Sequence, residues 1–122
     1  MTAPEVIDIA AKLGAFDDHW NPRVIADYNG NDVRVSKLLG EFVWHSHADT
    51  DELFLVLSGE LKIEFRDGVR TLKAGQMLIV PKGVEHRPVA EEECALLVFD
   101  RAGESNTGTT KATFTRKNLE RI

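Results

Sequence analysis

The feature that most constrains the fold is a strict alternation of polar and apolar residues over 60–66, Glu-Leu-Lys-Ile-Glu-Phe-Arg. Successive side chains of a β-strand point to opposite faces, so the three apolar residues share one face and the four charged residues share the other. Asp67-Gly68 follows, and residues 69–72 begin another such run. An Asp-Gly pair between two runs predicts a β-hairpin with a type I′ turn and a positive φ at Gly68.

Other short runs along the chain have the same extended character. They cover residues 24–28, 33–39, 42–47, 52–57, 77–80, 86–90 and 95–99. Turn residues separate them, at Asn29-Gly30, Asp49-Thr50-Asp51, Ser58-Gly59, Ala74-Gly75 and Pro81-Lys82-Gly83. Many short strands with little helix predict an all-β fold, either a β-sandwich or a small barrel.

The 122 residues suffice for a single domain with three zones. Residues 23–100 carry the β pattern. Residues 1–22 form an N-terminal covering segment of uncertain structure. Apolar spacing over 6–13, after a capping box at 2–5, fits a short helix, but its first four residues fit a strand equally well. Residues 101–122 are predicted to be a polar C-terminal tail, a surface loop with a final short strand or helix.

One predicted strand is apolar on both faces, at residues 53–57. Such a strand must be covered on both sides. One face can line a barrel, and the other needs a second sheet, the N-terminal segment or a partner subunit. Phe42 and Trp44 are predicted to face away from the barrel interior, towards such a second layer. This apolar surface predicts a homodimer.

Composition excludes several classes of partner. The net charge is −5, from 20 acidic and 15 basic residues, which argues against a nucleic-acid partner. No glycine-rich phosphate-binding motif, membrane-spanning run or secretory signal is recognisable. The single cysteine, Cys94, lies in an apolar run and is interpreted as a core residue. We therefore expect a soluble, cytoplasmic protein.

Histidines carry the strongest chemical signal. His45 and His47 are two residues apart, so in a strand they project from one face about 6.6 Å apart and can converge on one metal ion. The acidic turn after them can return the chain so that Glu52 lies beside the pair. His86 offers a third imidazole from a distant strand.

This pattern resembles the two motifs of the cupin superfamily. The first motif runs Gly40-x4-His45-x-His47-x4-Glu52-x6-Gly59, and the second runs Gly75-x5-Pro81-x-Gly83-x2-His86. The chain resembles small single-domain cupins of the kind called mannose-6-phosphate isomerase-like. Two departures stand out: Gly40 is one residue closer to His45 than usual, and Ala90 replaces a common asparagine.

The resemblance implies a fold and a site. The fold is a double-stranded β-helix, the cupin or jelly-roll barrel, and the metal ligands are His45, His47, Glu52 and His86. Three imidazoles and one carboxylate suit one divalent transition metal ion per chain, namely Fe, Mn, Ni, Cu, Co or Zn, without selecting among them. No catalytic general base can be identified.

Other residues near the motifs have less specific patterns. Phe54, Val56 and Val43 are expected to line the pocket or to pack in the core. Lys37 or Arg34 could enter the barrel and bind an anionic substrate, although surface positions are favoured for both. Surface or solvated positions are also expected for Glu85, His19 and Lys82.

Three functions fit these observations. The first is a metal-dependent enzyme that acts on a small molecule as a dioxygenase, isomerase or lyase. The alternative is a non-catalytic module that binds a small molecule or a metal. In the third, the metal only stabilises a dimer. An enzyme needs an open coordination position in a pocket, whereas a structural site is closed.

Overall fold

The structure, a computed structural model, describes residues 2–116 and 118–122. Its regular elements within these ranges are one short helix and a set of strands. They are α1 (Ile9–Leu13), β1 (Arg23–Tyr28), β2 (Asn31–Glu41), β3 (Glu52–Ser58), β4 (Glu60–Phe65), β5 (Gly68–Lys73), β6 (Met77–Val80) and β7 (His86–Arg101). The all-β prediction is confirmed.

Strand β7 closes the barrel. Its first residues pair antiparallel with β4, and its later residues pair with β2 and β3. The sheet runs β1-β2-β7-β3-β6, and β5 joins through β4. This arrangement confirms the double-stranded β-helix. The two strands predicted at 86–90 and 95–99 are one continuous strand, because the acidic residues between them stay extended.

The barrel core consists of the inward side chains of these strands. Phe54 and Val56 of β3 and Leu61 and Ile63 of β4 are almost fully buried. Their positions follow the two-residue period predicted from the alternation. The apolar face of residues 60–66 is therefore the core face, and its charged face points outward.

The β4–β5 hairpin is confirmed, but its predicted turn is wrong. Phe65 pairs with Gly68, so the turn residues are Arg66 and Asp67, and Gly68 already belongs to β5. The φ angle of Gly68 is not positive. The pairing of the buried residues Leu61 and Leu72 fixes this register and closes the turn one residue early.

The N-terminal segment covers the outer face of the sheet. Phe16 is buried there with Val35 and Leu97, and the outward leucines of β3 and the residues of α1 pack around them. Helix α1 begins after Asp8, whose side chain accepts a hydrogen bond from Ala11 N. The predicted capping box at 2–5 is therefore wrong, and Val6 is 96% exposed.

Residues 42–47 do not form the predicted strand. They keep a single bridge, between His45 and His86. The prediction that Phe42 faces away is wrong, because it is buried in the barrel and stacks on Trp20 at 4.6 Å between ring centroids. Trp44 is half-buried outside, beneath the Arg66 guanidinium group, 3.8 Å from the ring centroid.

The C-terminal segment, residues 101–122, packs against the barrel. It has turns and a single parallel bridge, Arg121 to Val24, instead of the predicted final strand or helix. Asn106 and Thr107 are buried, and Phe114 packs against Phe42. The segment predicted to be a surface loop therefore partly covers the barrel. Among the described helices, none is long and apolar enough to cross a membrane.

Candidate metal centre

Backbone pairing brings the predicted site residues together. The amide of His45 donates to the carbonyl of His86 at 3.0 Å, and the amide of His86 donates back at 2.9 Å. The carbonyl of His47 accepts from Gly83 N at 2.8 Å, and Glu52 is the first residue of β3. One potential ligand atom from each of the four side chains lies within 4.8 Å of the others.

Each imidazole is oriented through its Nδ1 atom. His45 Nδ1 lies 2.9 Å from Val43 O, and His86 Nδ1 lies 2.9 Å from Val84 O. His47 Nδ1 lies 3.2 Å from Glu104 Oε1. Because carbonyl and carboxylate oxygens only accept, these contacts place a proton on each Nδ1 and leave Nε2 as the ligand atom. Nε2 of His47 and Nε2 of His86 each lie 3.3 Å from Glu52 Oε1.

The side chains of His45, His47, Glu52 and His86 are all buried. Burial, followed by the charge of His86, lowers the pKa of His45 to about 4. Burial also acts to lower the pKa of His47, but the adjacent carboxylates of Glu52 and Glu104 outweigh it and raise this pKa. Burial acts to raise the pKa of Glu52, yet the adjacent imidazoles of His47 and His86 hold it well below the usual range.

A divalent ion fits this cluster. His47 Nε2 lies 3.3 Å from Glu52 Oε1, yet it has no hydrogen-bond partner among the described residues. A buried polar atom without a partner is unfavourable. Imidazole nitrogen and carboxylate oxygen are the donors that divalent transition metals accept. The unpaired nitrogen and the buried carboxylate therefore suit a cation.

The C-terminal segment contacts residues 44–47 from outside the barrel. Nothing in the sequence indicated these contacts. Thr109 N donates to Ser46 O at 3.1 Å, and Thr110 Oγ1 donates to Trp44 O at 3.0 Å. Glu104 reaches His47 although 57 positions separate them. Glu104 lies in a polar stretch without periodicity, so no sequence signal distinguished it from other surface acids.

A cavity of about 50 Å³ adjoins the cluster, with His45 and Glu52 in its wall. Apolar side chains make up most of the remaining wall, including Trp20, Phe42 and Phe54. A volume of this size holds a few water molecules or the end of a small ligand. Phe54 lines the cavity as expected, while Val56 is a core residue.

Arg34 lies inside the barrel, and the preference for a surface position is wrong. Its side chain is 2% exposed and forms ion pairs with Asp32 at 3.0 Å and Asp100 at 3.4 Å. These two carboxylates compensate the cost of burying the guanidinium group. Lys37 lies at the edge of the outer layer, where its ammonium group donates to Phe16 O at 2.6 Å.

Asp100 connects Arg34 to the metal cluster. Burial, followed by the negative charge of Glu52, raises the pKa of Asp100 well above its usual range. Asp100 and Glu52 line the same cavity.

The remaining candidates lie outside the cluster. Glu85 pairs with Arg66 at 3.1 Å, His19 pairs with Glu93 at 2.7 Å, and Lys82 is exposed. Cys94 is fully buried, and burial raises the pKa of its thiol to about 11. A thiol in that state is a packing residue rather than a nucleophile, which confirms its interpretation as a core residue.

Comparison with known proteins gives consistent results. Residues 38–100 match the family described as the cupin domain. A crystal structure of a cupin-2 domain containing protein from Shewanella frigidimarina is 51% identical with a TM-score of 0.78, covering 79% of this chain and 94% of that one. A protein from Neisseria meningitidis is 33% identical with a TM-score of 0.74, covering 80% of this chain and 100% of that one.

A curated relative, the uncharacterised protein YdbB of Bacillus subtilis, is 48% identical over 64 residues. The match covers 52% of this chain and spans 57% of the length of YdbB.

Proposed function

Because the chain belongs to the cupin family, we propose that it is a metal-dependent enzyme that acts on a small molecule. The ion is one divalent transition metal per chain, held by the clustered side chains His45, His47, Glu52 and His86. When bound, such an ion supplies Lewis-acid polarisation or activates water or O₂. The observation that carries the proposal is the set of buried imidazoles whose Nδ1 atoms are all engaged, which leaves their Nε2 atoms available as ligands.

The cavity favours an enzyme over a purely structural site. His45 and Glu52 belong both to the cluster and to the cavity wall, so a small molecule in the cavity reaches the ion. A structural metal site is closed and has no such access. The protein residues then have two tasks: the histidines and Glu52 fix the ion, and the apolar wall excludes water around the bound molecule.

The test is elemental analysis of protein made without an affinity tag and reconstituted with Fe, Mn, Co, Ni, Cu or Zn. His47→Ala is expected to lose most of the metal while the barrel still folds, because its core is independent of the ion. His19→Ala is the matched control and is expected to retain its metal, since His19 pairs with Glu93 outside the cluster. Equal metal in the two variants, or none in the wild type, contradicts the proposal.

A metabolite screen with the metal-loaded protein then separates an enzyme from the alternative, a non-catalytic binding module. Metal-dependent turnover supports the enzyme, and binding without turnover supports the module. We also propose membership of the mannose-6-phosphate isomerase-like subgroup, without the activity that its name implies. The guanidinium group of Arg34 in the cavity wall is already paired with two carboxylates, which disfavours a phosphorylated substrate.

We further propose a cytoplasmic homodimer. The free, buried thiol of Cys94 suits a reducing compartment. Met77 and Ile79 of the edge strand β6 are 56% and 51% exposed, and exposed apolar strands favour association. Light scattering at micromolar concentration is expected to give twice the monomer mass, and the monomer mass would contradict the dimer.

A further inference from the structure

Two buried donors in the cavity wall have no hydrogen-bond partner among the described residues. They are Arg34 Nε and Ser36 Oγ, whose residues are 1% and 2% exposed. Both residues lie on the inward face of β2, opposite Val98 and Leu96 of β7, and both line the cavity. Leaving such a group unsatisfied costs about 1–3 kcal/mol, so the cavity is built for something that accepts hydrogen bonds.

The rest of the Arg34 guanidinium group is fully used. Its Nη2 donates to Asp32 Oδ2 at 3.0 Å and to Glu104 O at 2.9 Å, and its Nη1 faces Asp100 Oδ2 at 3.4 Å. Buried Asp32 and Asp100 therefore already engage the Nη atoms. A bound anion would find the Nη atoms of Arg34 already engaged.

The wall around these donors is apolar. Trp20, Phe42 and Phe54 contribute rings, and Leu96 and Val98 contribute aliphatic surface. Asp100 also lines the cavity, and its Oδ1 atom has no hydrogen-bond partner among the described residues either. What Arg34 Nε and Ser36 Oγ lack is a hydrogen-bond acceptor.

We propose that Arg34 and Ser36 recognise the substrate, and that the substrate is a small, neutral molecule whose apolar end carries a carbonyl or hydroxyl oxygen. The oxygen accepts hydrogen bonds from Arg34 Nε and Ser36 Oγ, and the apolar part contacts the aromatic wall. This inference rests on the proposed function, because the molecule bound here is the one presented to the metal centre. It excludes the anionic substrate that a free arginine in the barrel would favour.

The test compares three probes that each carry two methyl groups on one carbon atom. They are neutral acetone, anionic isobutyrate and cationic isopropylammonium. NMR follows the Arg34 Nε–H resonance in metal-free protein and in protein loaded with diamagnetic Zn²⁺. Acetone is expected to shift this resonance saturably, with a dissociation constant at least tenfold lower than that of either charged probe. Ser36→Ala is expected to weaken acetone binding about fivefold to tenfold, the effect of one lost hydrogen bond. Ser58→Ala, at an exposed position of β3, is the matched control and should leave it unchanged.

Elemental analysis of the same samples separates this inference from the proposed function. Wild-type protein that holds metal but shows no preference for acetone overturns the inference alone, since water then satisfies both donors. Tighter binding of isobutyrate also overturns it. Protein that holds no metal overturns the proposed function. In that case the response of the Arg34 Nε–H resonance to the three probes still supports or overturns the inference.

Discussion

Two buried polar clusters in the same barrel differ in how their charge is balanced. The metal cluster consists of His45, His47, Glu52 and His86, and the arginine cluster consists of Arg34, Asp32 and Asp100. The arginine cluster contains its own cation and holds itself together through ion pairs. The metal cluster contains a buried carboxylate and three imidazoles, and we propose that it takes its cation from solution. We therefore expect the arginine cluster to determine stability and the metal cluster to determine binding.

The largest effect on the free energy of unfolding is expected from Arg34→Met. Removing the guanidinium group leaves Asp32 and Asp100 buried without their partner, and breaking a buried pair in this way costs about 3–5 kcal/mol of unfolding free energy. Urea denaturation measures the loss. Arg70→Met, at an exposed position of β5, is the control and should stay within about 0.5 kcal/mol of wild type. A loss below about 1 kcal/mol for Arg34→Met would mean that the ion pairs of Arg34 contribute little to the free energy of unfolding.

Metal is expected to stabilise the fold only through the metal cluster. At a free metal concentration of 100 times the dissociation constant, linkage predicts a gain of about 2.7 kcal/mol in unfolding free energy. The gain should disappear in His47→Ala and persist in His19→Ala. Thermal denaturation with and without metal checks this, and an equal gain in the two variants would place the ion elsewhere.

The two clusters meet at Glu104, whose side chain orients His47 and whose carbonyl accepts from Arg34. Glu104→Ala keeps the carbonyl and removes the side-chain contacts to His47 and to Arg101, the latter an ion pair at 3.6 Å. Loss of such an orienting partner is expected to lower metal affinity about 10-fold to 100-fold, because Nε2 is no longer held in position. Isothermal titration calorimetry measures the affinity. Glu85→Ala, which removes an exposed partner of Arg66, should leave it unchanged.

The smallest effect expected is on the pH dependence of metal binding. The pKa of His47 is raised, so below that pKa the metal must displace a proton, and affinity falls by up to about tenfold for each pH unit. His45 does not compete until about pH 4, because its pKa is lowered to about 4. Glu104→Ala removes one cause of the raised His47 pKa and is expected to release less proton per metal at neutral pH. Calorimetry in buffers of different ionisation enthalpy measures this release, and equal release would contradict the role of Glu104.

The residues of the metal cluster could be identified from the sequence because their pattern is local. His45 and His47 are two residues apart, and the glycines and proline around His86 resemble a known motif, so residue identity and spacing nominated all four candidates. The arginine cluster carried no comparable signal. Arg34 lies in an alternating strand whose valines face outward under the N-terminal segment, so the usual assignment of charged residues to solvent placed it on the wrong side.

The sequence by itself determined that the chain forms short antiparallel strands, because a two-residue period sorts side chains onto two faces. It also determined which residues can ligate a metal, because only certain side chains have the donor atoms. Only the tertiary structure decided which face of β2 is inside, where the hairpin turns and which acid orients His47. Those choices depend on what covers each face and on contacts between residues such as His47 and Glu104, 57 positions apart, which no local period encodes.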